Sequence, residues 1–179
     1  LAEGCLYGSE YRLYVVGDRE TTLYVGQTFT GIASRLEEHV NGSQGIPDGN
    51  LYAKNPSALG RLIRDQAPTS DAWTVDLYKL RDCREIVKKH FPKVDPEDFT
   101  HATLRRWRIG VLAKLGKRPS GPDCTWPQIP NQRERITEMF DTAEQALILE
   151  HHPPLNLAHN PHRRPLPEKY RHALPEKYW

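Results

Sequence analysis

Two short apolar runs, 12–16 and 22–26, flank the polar connection Gly17-Asp18-Arg19-Glu20-Thr21. β-Branched and aromatic residues dominate both runs, and such residues fit a pleated, half-buried surface. The pattern predicts a β-hairpin with a loop of about five residues. After Gly26 the period changes. Ile32, Leu36 and Val40 recur at every fourth position and share one helix face. Arg35 and His39, also four apart, share another. Residues 41–56, rich in Gly, Asn and Pro, read as a long loop. Ser57 can cap a helix over 58–66 that turns Leu59, Leu62 and Ile63 inward. Gly60 weakens that helix by up to about 1 kcal/mol, and Pro68 stops it. Trp73, Val75 and Leu77 alternate with polar neighbours as in a half-buried strand. A helix over 83–90 follows.

Further on, acidic residues and Thr100 mark a helix start where the dipole favours negative charge. Leu104, Trp107, Val111 and Leu115 form its apolar stripe, and Gly116 is its stop. Thr142 and Gln145 fit a capping box, so a helix is expected to begin near Ala143 and to end at Pro153-Pro154. Glu144 then falls in its first turn, where the dipole tolerates a carboxylate. The tail from His159 is Pro-rich and basic. It contains Leu-Pro-Glu-Lys-Tyr twice, at 166–170 and 174–178. Two copies do not make a solenoid. An extended arm that wraps a partner and a poorly ordered terminus are equally weighted readings.

At 179 residues the chain fits one domain, with room for an insertion. The formal net charge of +2 does not by itself argue for nucleic acid. Local clustering does more. Between His101 and Arg118 there are six basic residues, Arg105, Arg106, Arg108, Lys114, Lys117 and Arg118, and no acidic one. Cys5, Cys83 and Cys124 are widely spaced, fit no C-x-x-C pattern, and suggest reduced cytoplasmic thiols. No apolar run approaches the roughly 18 residues of a membrane span, and the first ten residues have no signal-peptide pattern. Adjacent histidines 151 and 152 point different ways on a helix and read as surface.

Tyr14 and Tyr24 stand ten residues apart, in Arg12-Leu13-Tyr14 and Tyr24-Val25-Gly26. Arg35 and His39 follow on the helix. Far along the chain come Glu144 and, twelve positions later, Asn156. In this order and spacing the set resembles the GIY-YIG nuclease family, and Arg35 with His39 is similar to its type II restriction-enzyme branch. The first triplet departs from Gly-Ile-Tyr at its first two positions. Each of these residues alone would ordinarily be packing or a solvated face; it is the joint order that carries the resemblance.

The resemblance implies an α/β (α+β) fold, a small three-stranded antiparallel sheet flanked by helices, and, since residues 91–135 exceed the minimal family core, a helical insertion there. It also implies a metal-dependent endonuclease acting on double-stranded DNA. Tyr14 is then the general base, His39 its proton acceptor or a phosphate contact, Tyr24 a positioning group and Asn156 a tie within the site. Glu144 is the ligand of one divalent cation, Mg²⁺ or Mn²⁺, with Glu150 as a rival. The chemistry suits these residue types. One carboxylate leaves a hard cation most of its shell for water and phosphate oxygens, and Arg35 offers a planar fork for phosphate. The six basic residues become phosphate contacts. A homodimer is a candidate partner, since one site cuts one strand. Competing expectations are a structure-selective repair or mobile-element nuclease, and a nucleic-acid-binding module that has lost catalysis.

Overall fold

The computed structural model describes residues 11–29, 31–41, 57–66, 73–90, 132–157 and 160–179, with Pro92 and Ala113. The helix expected from Thr100 to Gly116 lies outside these residues except for Ala113. So do all six basic residues (Arg105, Arg106, Arg108, Lys114, Lys117 and Arg118), Cys5 and Cys124, and the loop from 42 to 56.

A three-stranded antiparallel sheet with flanking helices forms the core. Strand β1 (Tyr11–Gly17) is central, with β2 (Thr22–Gln27) and β3 (Thr74–Lys79) on either side. The helices are α1 (Ile32–Asn41), α2 (Ala58–Asp65), α3 (Leu80–His90), α4 (Gln132–His151) and the short α5 (Glu168–Arg171). A 3₁₀ turn, Glu176–Tyr178, ends the chain. Asn41, expected to open the loop, closes α1 instead.

Alternation along β1 explains the layering. Leu13 and Val15 face one side, where they meet Cys83 and Val87 of α3 and Met139, Phe140, Ala143 and Leu147 of α4. Tyr14 and Val16 face the other, against Ile32 of α1, Leu59 and Leu62 of α2, and Leu155, Leu166, Tyr170 and Leu174. In β2 the pairing steps from Val16–Tyr24 to Gly17–Thr22, so Leu23 is an extra residue. This bulge resets the alternation. Leu23 and Tyr24 both join the Tyr14 side, while Val25 faces the α3–α4 side.

Ser57 caps α2 as its sequence suggests, its Oγ accepting from the Gly60 N–H at 3.1 Å. Gly60 has a packing reason that outweighs its low propensity. A Cβ there would overlap the backbone carbonyl of His39, so only glycine lets the start of α2 press against the end of α1.

Two expectations need correcting. Helix α4 does not begin near Ala143 but at Gln132, inside the stretch read as an insertion. Thr142 and Gln145 are buried rather than capping. The apolar stripe of Ile136, Met139, Phe140 and Ala143, packed on α3 and the sheet, propagates the helix through the capping-box signal. Glu144 therefore sits in mid-helix, away from the dipole's positive end.

The tail is neither an extended arm nor loose. Leu166, Tyr170 and Leu174 are buried in the Tyr14-side core. Each Leu-Pro-Glu-Lys-Tyr copy makes the same turn. Proline stands at the N-cap, glutamate follows in the first turn, and the tyrosine N–H returns to the proline carbonyl, at 2.9 Å in the first copy and 3.0 Å in the second. The Tyr170 hydroxyl donates to Asp18 at 2.6 Å, and Lys169 pairs with Asp18 at 2.8 Å. Asp18 also accepts from the Glu20 and Thr21 N–H groups, so one carboxylate shapes the hairpin turn and anchors the tail. Burial pushes that carboxyl up, but these hydrogen bonds outweigh it and hold it at about 2.

Candidate active site

The site is built where β1, β2, α1, α2 and α4 meet. Tyr14 is fully buried, and its hydroxyl lies 2.9 Å from His39 Nε2. On the other side of the ring, His39 Nδ1 lies 2.7 Å from Ser57 Oγ. Ser57 Oγ is also 3.5 Å from the His39 carbonyl, where its own proton can go. That assigns, from the network, Nδ1–H as donor to Ser57 and leaves Nε2 to accept from the Tyr14 hydroxyl. A hydroxyl on the buried central strand thus points its proton at a buried imidazole whose tautomer is set by a helix cap.

Tyr24 packs beside this pair, its ring centroid 6.1 Å from that of Tyr14 and 5.3 Å from that of His39. Gly26 makes the room. A Cβ there would come within 2.5 Å of the Tyr24 ring and 2.8 Å of the Tyr14 hydroxyl. The glycine closing the second triplet is thus a steric requirement of the two rings.

Asn156 performs a structural task on the free edge of β2. Its side chain accepts from the Val25 N–H at 2.8 Å and donates to the Val25 carbonyl at 2.7 Å. Leu155 N–H adds a bond to the Leu23 carbonyl at 3.1 Å. Both edge groups of Val25 are satisfied by one amide, which removes the cost of burying them unpaired. The end of α4 is thereby pinned to the strand that carries Tyr24.

Arg35 and Glu144 line a cleft of about 450 Å³ together with Tyr24, His39, Ser57 and Asn156, whereas Tyr14 is fully buried and is linked to it through His39. Glu38 holds the guanidinium at 2.7 Å, and the Arg35 Nε is buried without a hydrogen-bond partner. Burial first, and then the neighbouring Asp141, raise the Glu144 carboxyl to about 7; Arg35 opposes them. Burial and then Arg35 pull His39 down to about 4. Burial and then Tyr24 push the Tyr14 hydroxyl well above the ordinary phenol range. At neutral pH, Tyr14 and His39 are therefore neutral and share one proton.

All six residues expected in the site, Tyr14, Tyr24, Arg35, His39, Glu144 and Asn156, come together. Glu150, the rival ligand, does not join them. Its carboxylate is paired with Lys89 at 2.6 Å, and that hydrogen bond lowers its pKa. Three further residues belong here. Ser57 was legible only as a cap. Asp141 lies one turn before Glu144 and accepts from Gln27 Nε2 at 2.5 Å; its spacing of three from Glu144 was the available signal. Tyr178 enters from the second repeat.

The donor set fits one hard cation. Glu144 is half-buried, with its carboxyl raised to about 7, and among the described residues engages no cation in an ion pair. A divalent ion would relieve the cost of ionising it. No cluster of three or more histidine, cysteine or acidic side chains that could hold a metal ion occurs among the described residues. No protein-family model, no curated protein and no solved structure matches the chain. The likeness to GIY-YIG nucleases therefore rests on the residues themselves.

Proposed function

We propose that the chain is a metal-dependent endonuclease that hydrolyses phosphodiester bonds in double-stranded DNA, working as a type II restriction enzyme of GIY-YIG type. One observation carries the reading: His39, which lies 2.9 Å from the buried Tyr14 hydroxyl, lines the same cleft as Arg35 and Glu144. Those residues come from opposite ends of the sequence and have no shared reason to meet in a mere scaffold.

Hydrolysis needs a deprotonated water, in-line placement and charge stabilisation. Burial keeps Tyr14 from ionising in advance, so proton transfer is a relay. Water attacks phosphorus and passes a proton to the Tyr14 oxygen as Tyr14 passes its own to His39 Nε2. The P–O bond to the leaving oxygen breaks, and that oxygen takes a proton from solvent. Burial and Arg35 make His39 a weak acceptor. The entering phosphate charge offsets Arg35 and strengthens it. Arg35 turns its guanidinium from Glu38 to the phosphate oxygens. Tyr24 fixes the position of the phosphate, and Asn156 holds Tyr24's strand against α4. Held by Glu144, Mg²⁺ or Mn²⁺ supplies charge stabilisation at the phosphate and the leaving oxygen.

Cutting both strands calls for a homodimer, since each chain holds one such cleft. The described residues include no helix long and apolar enough to cross a membrane, and the one described cysteine, Cys83, is a free thiol. Both agree with a cytoplasmic enzyme that meets invading DNA. Incubation with phage and plasmid DNA in Mg²⁺ tests the reading. Discrete bands are expected. A smear would remove sequence specificity, and retarded but uncut DNA would remove catalysis.

A further inference from the structure

The cleft continues beyond Glu144 and Arg35. Past Tyr178 it joins a second hollow of about 240 Å³ that shares Ser57, Ala58 and Tyr178 as walls. Arg61 and Lys177 are added there, and among the described residues no carboxylate lines it. Arg61 stands in the first turn of α2, its N–H bonded to the Ser57 carbonyl at 2.9 Å. Lys177 comes from the second repeat. Its backbone carbonyl is held by Arg163 at 2.7 Å, and its ammonium lies 5.1 Å from the Tyr178 ring centroid. Both cationic side chains are exposed, and neither is tied up by a carboxylate of the described residues.

The contrast between the two repeats sharpens the point. In the first copy, Lys169 and Tyr170 are both spent on Asp18. In the second, the equivalent Lys177 and Tyr178 face the hollow instead. Two cations without a counter-ion, on a wall continuous with a phosphodiester cleft, suit a polyanion that runs along both. We propose that Arg61, Lys177 and Tyr178 form a second anion subsite that holds the phosphate neighbouring the scissile one on the same nucleic-acid strand. The two cations contact phosphate oxygens, and the Tyr178 ring supplies an apolar floor beneath the sugar. This rests on the nuclease reading above and adds to it a built-in role for the tail.

The test uses the full chain carrying Arg61→Gln with Lys177→Gln. Both side chains are exposed, so the melting temperature should stay close to that of the unmodified protein. Two substrates are compared in Mn²⁺: a DNA duplex, and bis(p-nitrophenyl) phosphate, which has one diester and no neighbouring phosphate. The loss in kcat/KM on DNA should exceed the loss on the small diester by roughly ten-fold, mostly through KM. In a Glu144→Gln background, where DNA is bound without being cut, the slope of log affinity against log salt should become shallower by about one. A charge-matched control, Arg81→Gln with Lys88→Gln on α3 across the sheet, should leave both readouts alone. Equal losses on the two substrates, or a slope that matches the control, would overturn the subsite while leaving the nuclease standing. If the unmodified protein neither binds nor cuts DNA, the nuclease reading itself fails, and the subsite with it.

Discussion

The two faces of the sheet are built from the same three strands and do different work. Leu13, Val15 and Val25 meet α3 and α4 in a layer built mainly of aliphatic and aromatic side chains around one thiol. Tyr14, Val16, Leu23 and Tyr24 meet α1, α2 and the tail in a layer that also buries a phenol and an imidazole. Neighbouring residues on one strand thus have different surroundings: Leu13 lies in apolar packing, Tyr14 against a buried imidazole. Helix α4 connects them. It packs its Phe140 stripe on the first face and brings Glu144 around the β2 edge into the cleft. Burial without polar partners gives stability, whereas burial of polar groups shifts their protonation, and the chemistry depends on that shift.

Glu144→Gln should break the division most sharply. Cleavage in Mg²⁺ or Mn²⁺ is expected to fall by roughly 10³-fold or more, with DNA binding retained in a gel-shift assay; normal cutting would remove the proposed ligand. The same change has a stability readout. The Glu144 carboxyl ionises at about 7 in the fold against 4.5 when exposed. The folded state thus holds its proton more tightly, and stability is lost as pH rises from about 4.5 to 7. Glutamine removes that penalty. The metal-free variant should melt higher than the parent at pH 8, by up to roughly 3 kcal/mol in stability. Protons and metal also compete for Glu144, so metal affinity should fall by up to about ten-fold per pH unit below 7, which a metal titration by calorimetry at two pH values would read.

A pair of adjacent substitutions tests the two faces directly. Tyr14→Phe keeps the ring and removes the relay hydroxyl. It should cost roughly 10²–10⁴-fold in kcat and about 1–2 kcal/mol in stability, from leaving His39 Nε2 buried without a partner. Leu13→Ala should cost about 2–5 kcal/mol in stability and, at a temperature where the protein remains folded, little in kcat. Urea melts and single-turnover cleavage separate the two. If Leu13→Ala damaged kcat as much as Tyr14→Phe, the faces would not be independent.

How much of this was legible in advance follows the same division. The hairpin, α1 and β3 were readable because period-2 and period-3.6 patterns are local, and Ser57 was readable as a cap. The members of the site were readable as a set through order and spacing. Their electrostatics were not. A capping-box pattern put Glu144 at a helix start, where the dipole would stabilise its charge. The upstream stripe from Ile136 to Ala143 moves that start to Gln132 and leaves a half-buried carboxyl beside Asp141. The tail misled for a related reason. Proline and basic residues suggested an arm, yet Leu166, Tyr170 and Leu174 are spaced to bury one residue per turn against a layer formed by residues far away in sequence. Neither Ser57 bonding to His39 nor Tyr178 entering the cleft has a sequence signal, because each depends on the meeting of distant elements.

The smallest effect concerns how that tail is fastened. Asp18 ionises at about 2 in the fold against an ordinary 3.8, because its hydrogen bonds to Lys169, Tyr170 and two backbone N–H groups outweigh the effect of burial. A depressed carboxyl contributes stability above its unfolded value and loses it as pH falls through the folded one, so this contribution should disappear between pH 4 and 2. Lys169 is half exposed, and solvent screening limits the net gain to about 1 kcal/mol. Asp18→Asn should lower the melting temperature at pH 7 by a few degrees and flatten its decline between pH 4 and 2. The Tyr170 hydroxyl, raised to about 12 chiefly by burial and by Asp18, should then titrate closer to an ordinary phenol in an alkaline absorbance scan. Because the second repeat follows directly on the first, loosening the anchor should also raise KM for DNA modestly. An unchanged KM alongside a lowered melting temperature would confine the tail to the stabilising role seen in its first copy.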